Sequence, residues 1–243
     1  MTERVKNIGK KLLDWLYPAR CVFCDCLLEK REKYLCSQCR RHMPEPIREP
    51  RCKKCSKPLE SEGKEYCYDC TEYHHSYDRG LAVFAYRDPM KEALMRFKFH
   101  GRKENGEFLG KLLCMYGKTF LQQTKPQVII PVPVHRKKKN RRGYNQAEVL
   151  AAAVSRGFSI PIRTDLVLRR KFTKAQKELN RKERKRNLKQ AFYVKDEVKN
   201  YRTVLIVDDI YTTGSTVNAI AEKLKSRGVQ RVYFLVLCIG KGF

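Results

Sequence analysis

The sequence of 243 residues lacks any apolar run near the ~18 residues that a membrane-spanning helix requires. It also lacks the continuous apolar segment of a signal peptide, because Lys10, Lys11 and Asp14 interrupt the stretch 8–16. Acidic residues are scarce, with 26 Asp and Glu against 53 Lys and Arg, so the net charge is +27. These features argue against an integral membrane protein and predict a basic, cytoplasmic one.

Two common phosphate-binding motifs are also absent. No G-x-G-x-x-G follows a predicted strand, and no G-x-x-x-x-G-K-[ST] occurs. Such loops are the usual signatures of dinucleotide and nucleoside-triphosphate sites. The sequence therefore lacks the motifs that usually indicate a dinucleotide site or a nucleoside-triphosphate site.

The most informative motif occupies residues 204–217. The run Val204 to Val207 has no polar alternation, which is typical of a strand buried on both faces of a parallel sheet. Asp208 and Asp209 follow, at the end of the strand where open α/β sheets bind ligands. A turn then leads into a predicted helix at Val217–Arg227, so backbone N–H groups and hydroxyls converge at the positive end of the helix dipole. The candidate phosphate ligands are Tyr211, Thr212, Thr213, Gly214, Ser215 and Thr216.

The two carboxylates suggest what else this site would bind. Acids so close to a phosphate would repel it unless they faced sugar hydroxyls or a divalent cation. A ribose 5-phosphate satisfies both parts of the motif, which makes Asp208 and Asp209 the candidate catalytic residues. The alternative is an ordinary strand–turn–helix with a capped helix N-terminus.

The cysteines predict two zinc sites. Eight of the eleven form four C-x-x-C pairs, and each position of the first two pairs recurs 31 residues later. Two such pairs supply the four thiolates of a tetrahedral structural zinc site. The sets are Cys21, Cys24, Cys36 and Cys39, then Cys52, Cys55, Cys67 and Cys70. Disulfides are the alternative, disfavoured in a chain without a signal peptide. Cys26 could replace Cys24, and His42, His74 and His75 lie nearby, but the repeat favours the eight paired cysteines.

Positive charge is concentrated after residue 75. Residues 1–75 carry 16 basic and 12 acidic side chains, whereas 76–243 carry 37 and 14. The predicted loop 136–142 has six basic residues in seven, and 169–189 has eleven. Such fields attract pyrophosphate or nucleic acid, although any one run is equally a solvated face. The candidate nucleic-acid contacts are Lys137, Lys138 and Lys139. Tyr144, Phe172 and Phe192 are candidate stacking residues, although Phe192 is more typical of a core residue.

The remaining pattern predicts alternating strands and helices. Strands are expected at Gly80–Tyr86 and Gln127–Ile130, and helices at Asp88–Phe99, Glu104–Leu121 and Tyr144–Arg156. Residues 169–192 lie between two further predicted strands. This long basic segment suits a lid that closes over a reactive ligand, and it is equally compatible with a disordered loop or an exposed helix.

The acid pair and its threonine loop resemble the signature of type I phosphoribosyltransferases, in which the acids bind the ribose of phosphoribosyl pyrophosphate and the loop wraps its 5-phosphate. Four motifs behind the cysteine module together resemble the competence ComF family over nearly the whole chain. They are P-V-P-V-H-(x₆)-R-G-Y-N-Q-A at 131–147, T-x-x-Q at 173–176, R-x-x-N at 184–187 and D-D-I-Y-T-T-G-S-T at 208–216. Ala175 departs from the proline usual in the family, and Ser215 from the second glycine of many classical phosphoribosyltransferases.

The resemblance implies a type I phosphoribosyltransferase-like α/β domain at 77–243, preceded by an N-terminal helix and a double zinc ribbon within 1–76. It implies two structural Zn²⁺ ions, and Mg²⁺ bound with phosphoribosyl pyrophosphate. The residues expected to hold pyrophosphate or form the lid are Arg136, Arg141, Arg142, Arg169, Thr173, Gln176 and Arg184.

The resemblance further implies a role in DNA uptake during natural transformation. The expected partners are single-stranded DNA, a helicase-like ATPase and a membrane DNA channel, so contact with the membrane is expected through partners. Two hypotheses follow. One is a phosphoribosyltransferase whose acceptor the sequence does not identify. The other is a non-catalytic uptake factor that keeps the fold and binds single-stranded DNA.

Overall fold

A four-stranded parallel sheet forms the centre of the computed structural model, which describes residues 18–170 and 190–240. In chain order, the strands are β1 (Arg79–Ala85), β2 (Val128–Pro131), β3 (Val167–Arg169), β4 (Phe192–Val194), β5 (Thr203–Tyr211) and β6 (Arg231–Ile239). The sheet order is β1-β6-β5-β2, with every pairing parallel. Strands β3 and β4 form a separate antiparallel pair. The predicted α/β class with a parallel sheet is confirmed.

Seven α-helices lie within the described ranges. They are α1 (Ser37–Arg41), α2 (Tyr68–Glu72), α3 (Met90–Phe99), α4 (Asn105–Thr124), α5 (Arg136–Arg142), α6 (Gln146–Phe158) and α7 (Ser215–Lys225). None of these helices combines the length and apolar character needed to cross a bilayer. Helices α1 and α2 each begin directly after a cysteine of the repeat, at Cys36 and Cys67.

The two faces of the sheet are covered differently. Alternate residues of β5 point to opposite faces, so Val204 and Ile206 enter one buried cluster and Leu205 and Val207 the other. The first cluster also contains α7, the β3–β4 pair and cysteines of the second zinc ribbon. The second contains α3, α4, most of α6 and cysteines of the first ribbon. The tandem repeat therefore places one copy on each face of the sheet.

Two predicted elements need correction. Strand β5 extends beyond Val207 because it pairs with β6 as far as Tyr211 and Ile239, so both acids lie inside the strand. The basic stretch 136–142 is helix α5 rather than a loop. His135 caps it by accepting from the Lys137 N–H, and Gly143 ends it with a φ of 79°.

The other predicted elements of the α/β domain are present, with ends displaced by at most three residues. The predicted N-terminal helix lies outside the described residues. So do Phe172, Thr173, Gln176, Arg184 and most of the predicted lid.

Candidate functional site

The eight paired cysteines form two clusters, in the sets that the repeat predicts. Within each, the four sulfur atoms lie within 4.8 Å of one another. The Sγ atoms of Cys24 and Cys36 are 3.7 Å apart, and those of Cys55 and Cys67 are 3.5 Å apart. Zn–S bonds of about 2.3 Å in a tetrahedron give sulfur separations of about 3.8 Å, whereas a disulfide needs about 2 Å. Both clusters are therefore consistent with zinc.

The first cluster shows how its thiols are prepared for a metal. The Cys39 N–H donates to Cys36 Sγ at 3.4 Å, and this bond lowers the pKa of Cys36 to about 6. A thiolate is the form that binds zinc. Cys26 is exposed and lies outside the set of four converging sulfurs, so Cys24 rather than Cys26 belongs to this cluster.

The turn after β5 forms a cup at the N-terminus of α7. The cup is lined by Asp208, Ile210 and residues 211–217. Gly214 has a φ of 72°, a left-handed conformation that favours glycine. The hydroxyls of Thr213 and Ser215 lie 2.8 Å apart. Because the first N–H groups of a helix have no partner within it, this cup can bind a phosphate through backbone and hydroxyl donors.

Lys98, near the end of α3, contacts the acid pair. Its Nζ lies 2.9 Å from Asp209 Oδ2, and both side chains are buried or nearly so. Burial opposes the charge of Lys98, but the neighbouring Asp209 outweighs it and the pKa of Lys98 is raised. Asp208 is half-buried, and its pKa is raised to about 8 by burial and by the charge of Asp209. The pair is thus asymmetric, with one acid partnered by an ammonium group.

A second cavity adjoins the phosphate cup and shares Asp208 and Thr216 with it. Four cationic side chains line this cavity together with the acid pair: Lys98, Lys138, Arg142 and Arg169. Burial and the nearby Arg169 and Arg142 lower the pKa of Lys138. Four cations facing two carboxylates leave an excess of positive charge, which suits a ligand with several negative charges.

The R-G-Y-N-Q block holds this cationic wall in place. Asn145 caps α6 by accepting from the Ala147 N–H at 3.1 Å, and its Nδ2 donates to the Val132 carbonyl at 3.0 Å, just after β2. Arg142 donates to Gln146 at 3.0 Å. Gln146 in turn donates to the Phe97 carbonyl in α3 at 3.3 Å. The block therefore connects the basic helix α5 to the strand and to the helix that carries Lys98.

The residues predicted from sequence are placed as follows. The acid pair and the loop 211–216 are adjacent, and Arg142 and Arg169 line the neighbouring cavity. Arg136 and Arg141 are exposed and lie outside the lining of that cavity, whereas Lys138, expected at DNA, belongs to it. Lys139 pairs with Glu148 at 3.1 Å.

Two of the candidate stacking residues, Tyr144 and Phe192, lie in the interior instead. Tyr144 is buried and donates its hydroxyl to the Phe97 carbonyl, so its ring is not available to a nucleobase. Phe192 is buried in β4, as its interpretation as a core residue predicts. Sequence reasoning missed Lys98. The only indication in the sequence was that Lys98 is a basic residue on a predicted helix that precedes the basic stretch 136–142.

Asp208 predicts a measurable pH dependence of stability. Because its pKa is raised in the folded chain, Asp208 holds its proton there up to about pH 8, whereas the unfolded chain loses it near pH 4. Between these two values the unfolded chain binds fewer protons than the folded one. The free energy of unfolding therefore falls as pH rises, by up to ~1.4 kcal/mol per pH unit. Asp208→Asn should flatten this dependence and raise stability at pH 8. Urea unfolding at pH 5.5 and pH 8 measures it. The control is Asp196→Asn, an exposed carboxylate paired with Arg227. Parallel pH dependences for wild type and Asp208→Asn would show that burial does not perturb this acid.

Comparison with known proteins agrees with this architecture. Residues 12–71 match the family "Double zinc ribbon domain", and residues 144–242 match "Phosphoribosyl transferase domain". Competence protein F of Haemophilus influenzae is 35% identical, over 88% of this chain and 93% of its own length. The DNA utilization protein YhgH of Escherichia coli K12 is 30% identical, over 91% and 97%. Competence protein ComFC of Bacillus subtilis is 28% identical, over 83% and 82%.

These similarities extend across both the cysteine module and the sheet that carries the acid pair. With identity above 30% over most of both chains, the chain belongs to the competence ComF family of proteins with a double zinc ribbon and a phosphoribosyltransferase domain.

Proposed function

We propose that this protein binds phosphoribosyl pyrophosphate with Mg²⁺ and acts in DNA uptake for natural transformation. The proposal is supported by the order in which three groups of residues lie along the sheet. A phosphate cup, an acid pair and a wall of cations follow one another along the carboxyl edge of the sheet, and the two cavities share Asp208 and Thr216. Phosphoribosyl pyrophosphate presents a phosphate, two ribose hydroxyls and a pyrophosphate in the same order.

Each part of the ligand has a matching group. The 5-phosphate would accept hydrogen bonds from the N–H groups and hydroxyls of residues 212–216. Asp208 and Asp209 would accept from the ribose hydroxyls. The pyrophosphate would lie against Lys138, Arg142 and Arg169, with Mg²⁺ neutralising part of its charge. Carboxylate oxygens are suitable ligands for Mg²⁺, so the acid pair is compatible with that ion.

The same arrangement suits transfer of phosphoribose to an acceptor. When the bond between C1 and the pyrophosphate oxygen breaks, its electron pair leaves with the pyrophosphate and positive charge develops on the ribose. Fixed cations stabilise the leaving group, and the acid pair lies on the side of the ribose. We infer a phosphoribosyltransferase with an acceptor still to be identified.

Two measurements test this proposal separately. Titration calorimetry with phosphoribosyl pyrophosphate and Mg²⁺ tests binding, and absence of binding at millimolar ligand would overturn the assignment. Release of pyrophosphate in the presence of nucleobases and other candidate acceptors tests turnover. Binding without release under every acceptor would favour the second candidate function.

That second candidate is a non-catalytic uptake factor that binds single-stranded DNA. It is favoured by the net charge of +27 and by exposed lysines on α5. The name of one relative, DNA utilization protein YhgH, also connects that protein with DNA. A helicase-like ATPase and a membrane DNA channel would be the partners, and the cytoplasm the compartment in which the protein meets them.

Substitution of two neighbouring lysines should distinguish the binding of pyrophosphate from the binding of single-stranded DNA. Lys138 lines the cationic cavity and Lys137 does not, although both are on α5. Lys138→Ala should weaken binding of inorganic pyrophosphate by about tenfold, the value of a lost charge-assisted hydrogen bond, whereas Lys137→Ala should leave it nearly unchanged. For single-stranded DNA, Lys137→Ala should reduce the slope of log affinity against log salt by up to ~0.7. Calorimetry and fluorescence anisotropy measure the two effects. Equal losses of pyrophosphate affinity in both variants would contradict the separation.

A further inference from the structure

The linker after the second ribbon, residues 73–78, connects α2 to β1 and enters the core next to the phosphate cup. Tyr77 is fully buried, and its hydroxyl lies 2.7 Å from the hydroxyl of Tyr211. Tyr211 is the last residue of β5 and lines the cup. The ribbon and the cup are thus joined by one buried hydrogen bond between side chains 134 positions apart in sequence.

The ring of Tyr77 is held by residues of the ribbon and its linker. His75 stacks on it at 5.0 Å between centroids, and the ammonium group of Lys54 lies 5.6 Å from its centroid. Lys54 directly precedes the zinc ligand Cys55, and its carbonyl accepts from the Gly80 N–H at 2.9 Å. Tyr77 shares a buried cluster with Cys52, Cys55 and Cys67. Phe234 on β6 also packs edge-on against the ring, at 4.9 Å, so the position of Tyr77 depends on both the sheet and the folded second ribbon.

Tyr211 in turn determines the position of the loop. Its ring stacks on Phe234 at 4.9 Å, and its hydroxyl lies against Gly214, where a Cβ would be only 2.2 Å away. A side chain at 214 would displace the hydroxyl, so the left-handed glycine and the tyrosine are fitted to each other. Movement of the Tyr211 hydroxyl would be transmitted to the backbone of the loop.

A second contact joins the linker to the first turns of α7. The Ser76 N–H donates to Asn218 Oδ1 at 2.6 Å, and the Asn218 N–H donates to the Gly214 carbonyl at 2.8 Å. Adjacent linker residues 76 and 77 thus contact both ends of the turn that presents the phosphate-binding N–H groups.

We propose that Tyr77 and Tyr211 are positioning residues through which the second zinc ribbon holds the phosphate cup in its binding conformation. The inference rests on the proposed function, because it assigns the cup to the 5-phosphate of the ligand. Its consequence is a coupling between two sites. The metal-loaded ribbon favours phosphate binding, and a bound phosphate by the same factor favours retention of zinc in that ribbon.

Tyr77→Phe tests the proposal because it removes one hydroxyl and leaves the ring in place. The probes are ribose 5-phosphate, for the cup, and inorganic pyrophosphate, for the cationic cavity, both measured by calorimetry on the zinc-loaded full chain. The expected result is a threefold to tenfold weaker affinity for ribose 5-phosphate, about the value of one net hydrogen bond. Pyrophosphate affinity should change by less than about twofold, and metal analysis should still give two zinc ions per chain.

The matched control is Tyr34→Phe. The Tyr34 hydroxyl donates to Glu107 on α4 and accepts from Lys111 at 2.8 Å, so it fixes the first ribbon to the opposite face of the sheet. This variant should bind both probes as the wild type does. Unchanged ribose 5-phosphate affinity in Tyr77→Phe, or an equal loss for both probes, would overturn the positioning role.

Hydrogen exchange in the ligand-free chain tests the positioning role without the ligand. Amides of residues 212–216 should exchange several-fold faster in Tyr77→Phe than in Tyr34→Phe or the wild type. Equal exchange rates would overturn the inference. If the wild type fails to bind ribose 5-phosphate while the exchange difference is present, then the proposed ligand is wrong and the connection between ribbon and loop is retained.

Discussion

Substitution of Cys67 by Ser is expected to remove one of two zinc ions and to lower the main melting temperature by about 10 °C or more, the effect of losing several kcal/mol in a chain of this size. Cys67 lies in the buried cluster that also contains Tyr77 and Phe234 of the sheet. Loss of the metal would therefore disturb the core beneath the acid-bearing strand. Metal analysis and calorimetric melting measure the two effects.

Cys36→Ser is the matched variant, because Cys36 occupies the equivalent position in the first repeat. Cys36 is half-buried and Cys24 is exposed, so the first cluster is less enclosed than the second. This change should also remove one zinc ion, but the α/β domain should remain folded and soluble, with its main transition lowered much less. Equal destabilisation by the two substitutions would show that both ribbons support the sheet to the same degree. Fewer than two zinc ions in the reduced wild-type protein would contradict the two-site assignment.

The double substitution Asp208→Asn with Asp209→Asn is expected to abolish stabilisation by phosphoribosyl pyrophosphate and Mg²⁺. A ligand present at 100 times its dissociation constant stabilises the native state by about 2.7 kcal/mol, or roughly 5–10 °C in a chain of this size. The wild type should show this shift in melting temperature, and the double variant should show less than about 2 °C. Asparagine keeps the shape of both side chains while it removes the charge that binds Mg²⁺ and the ribose hydroxyls.

The control for this experiment is again Asp196→Asn, which should retain the full shift. The double variant leaves the buried Lys98 ammonium group without its carboxylate partner, so it is expected to be less stable than the wild type without ligand, even though it no longer places two acids side by side. The ligand shift is therefore measured within each variant, and a folded double variant that has lost this shift would identify the acids as functional groups. A double variant that shifts as the wild type does would identify them as structural.

Local patterns accounted for the features that lie close together in the chain. The cysteine repeat identified both metal clusters, with Cys24 rather than Cys26, because two-residue spacing constrains sulfur geometry within one turn. The order of strand, acids and helix in residues 204–225 was also predictable, since buried strands and helix N-termini have strong local signals. The strand end was not, because pairing of Tyr211 with Ile239 on β6 sets it.

Features that depend on distant contacts could not be predicted in the same way. Lys98 reaches Asp209 from a helix about 110 positions earlier, and nothing in its neighbourhood distinguishes it from Lys91 or Lys103. Similarly, Lys138 and Arg142 line the cavity while Arg136 and Arg141 do not, and nothing in the run of six basic residues distinguishes the two pairs. The contact of Tyr77 with Tyr211 requires the ribbon and the sheet to be folded together.

The placement of one repeat on each face also makes the two copies non-interchangeable. Phe23 and Lys54 occupy equivalent positions, 31 residues apart, yet Phe23 packs edge-on against Phe108 while Lys54 lies over the ring of Tyr77. Tyr34 and Glu65 are likewise equivalent, but Tyr34 stacks on Phe108 while Glu65 pairs with Lys53 inside its own ribbon. If the two repeats were exchanged, the chain would keep every metal ligand, but Lys54 would take the place of Phe23 and face Phe108. The order of the duplicated halves is therefore set by the sheet between them, and the metal-binding spacing alone does not define this module.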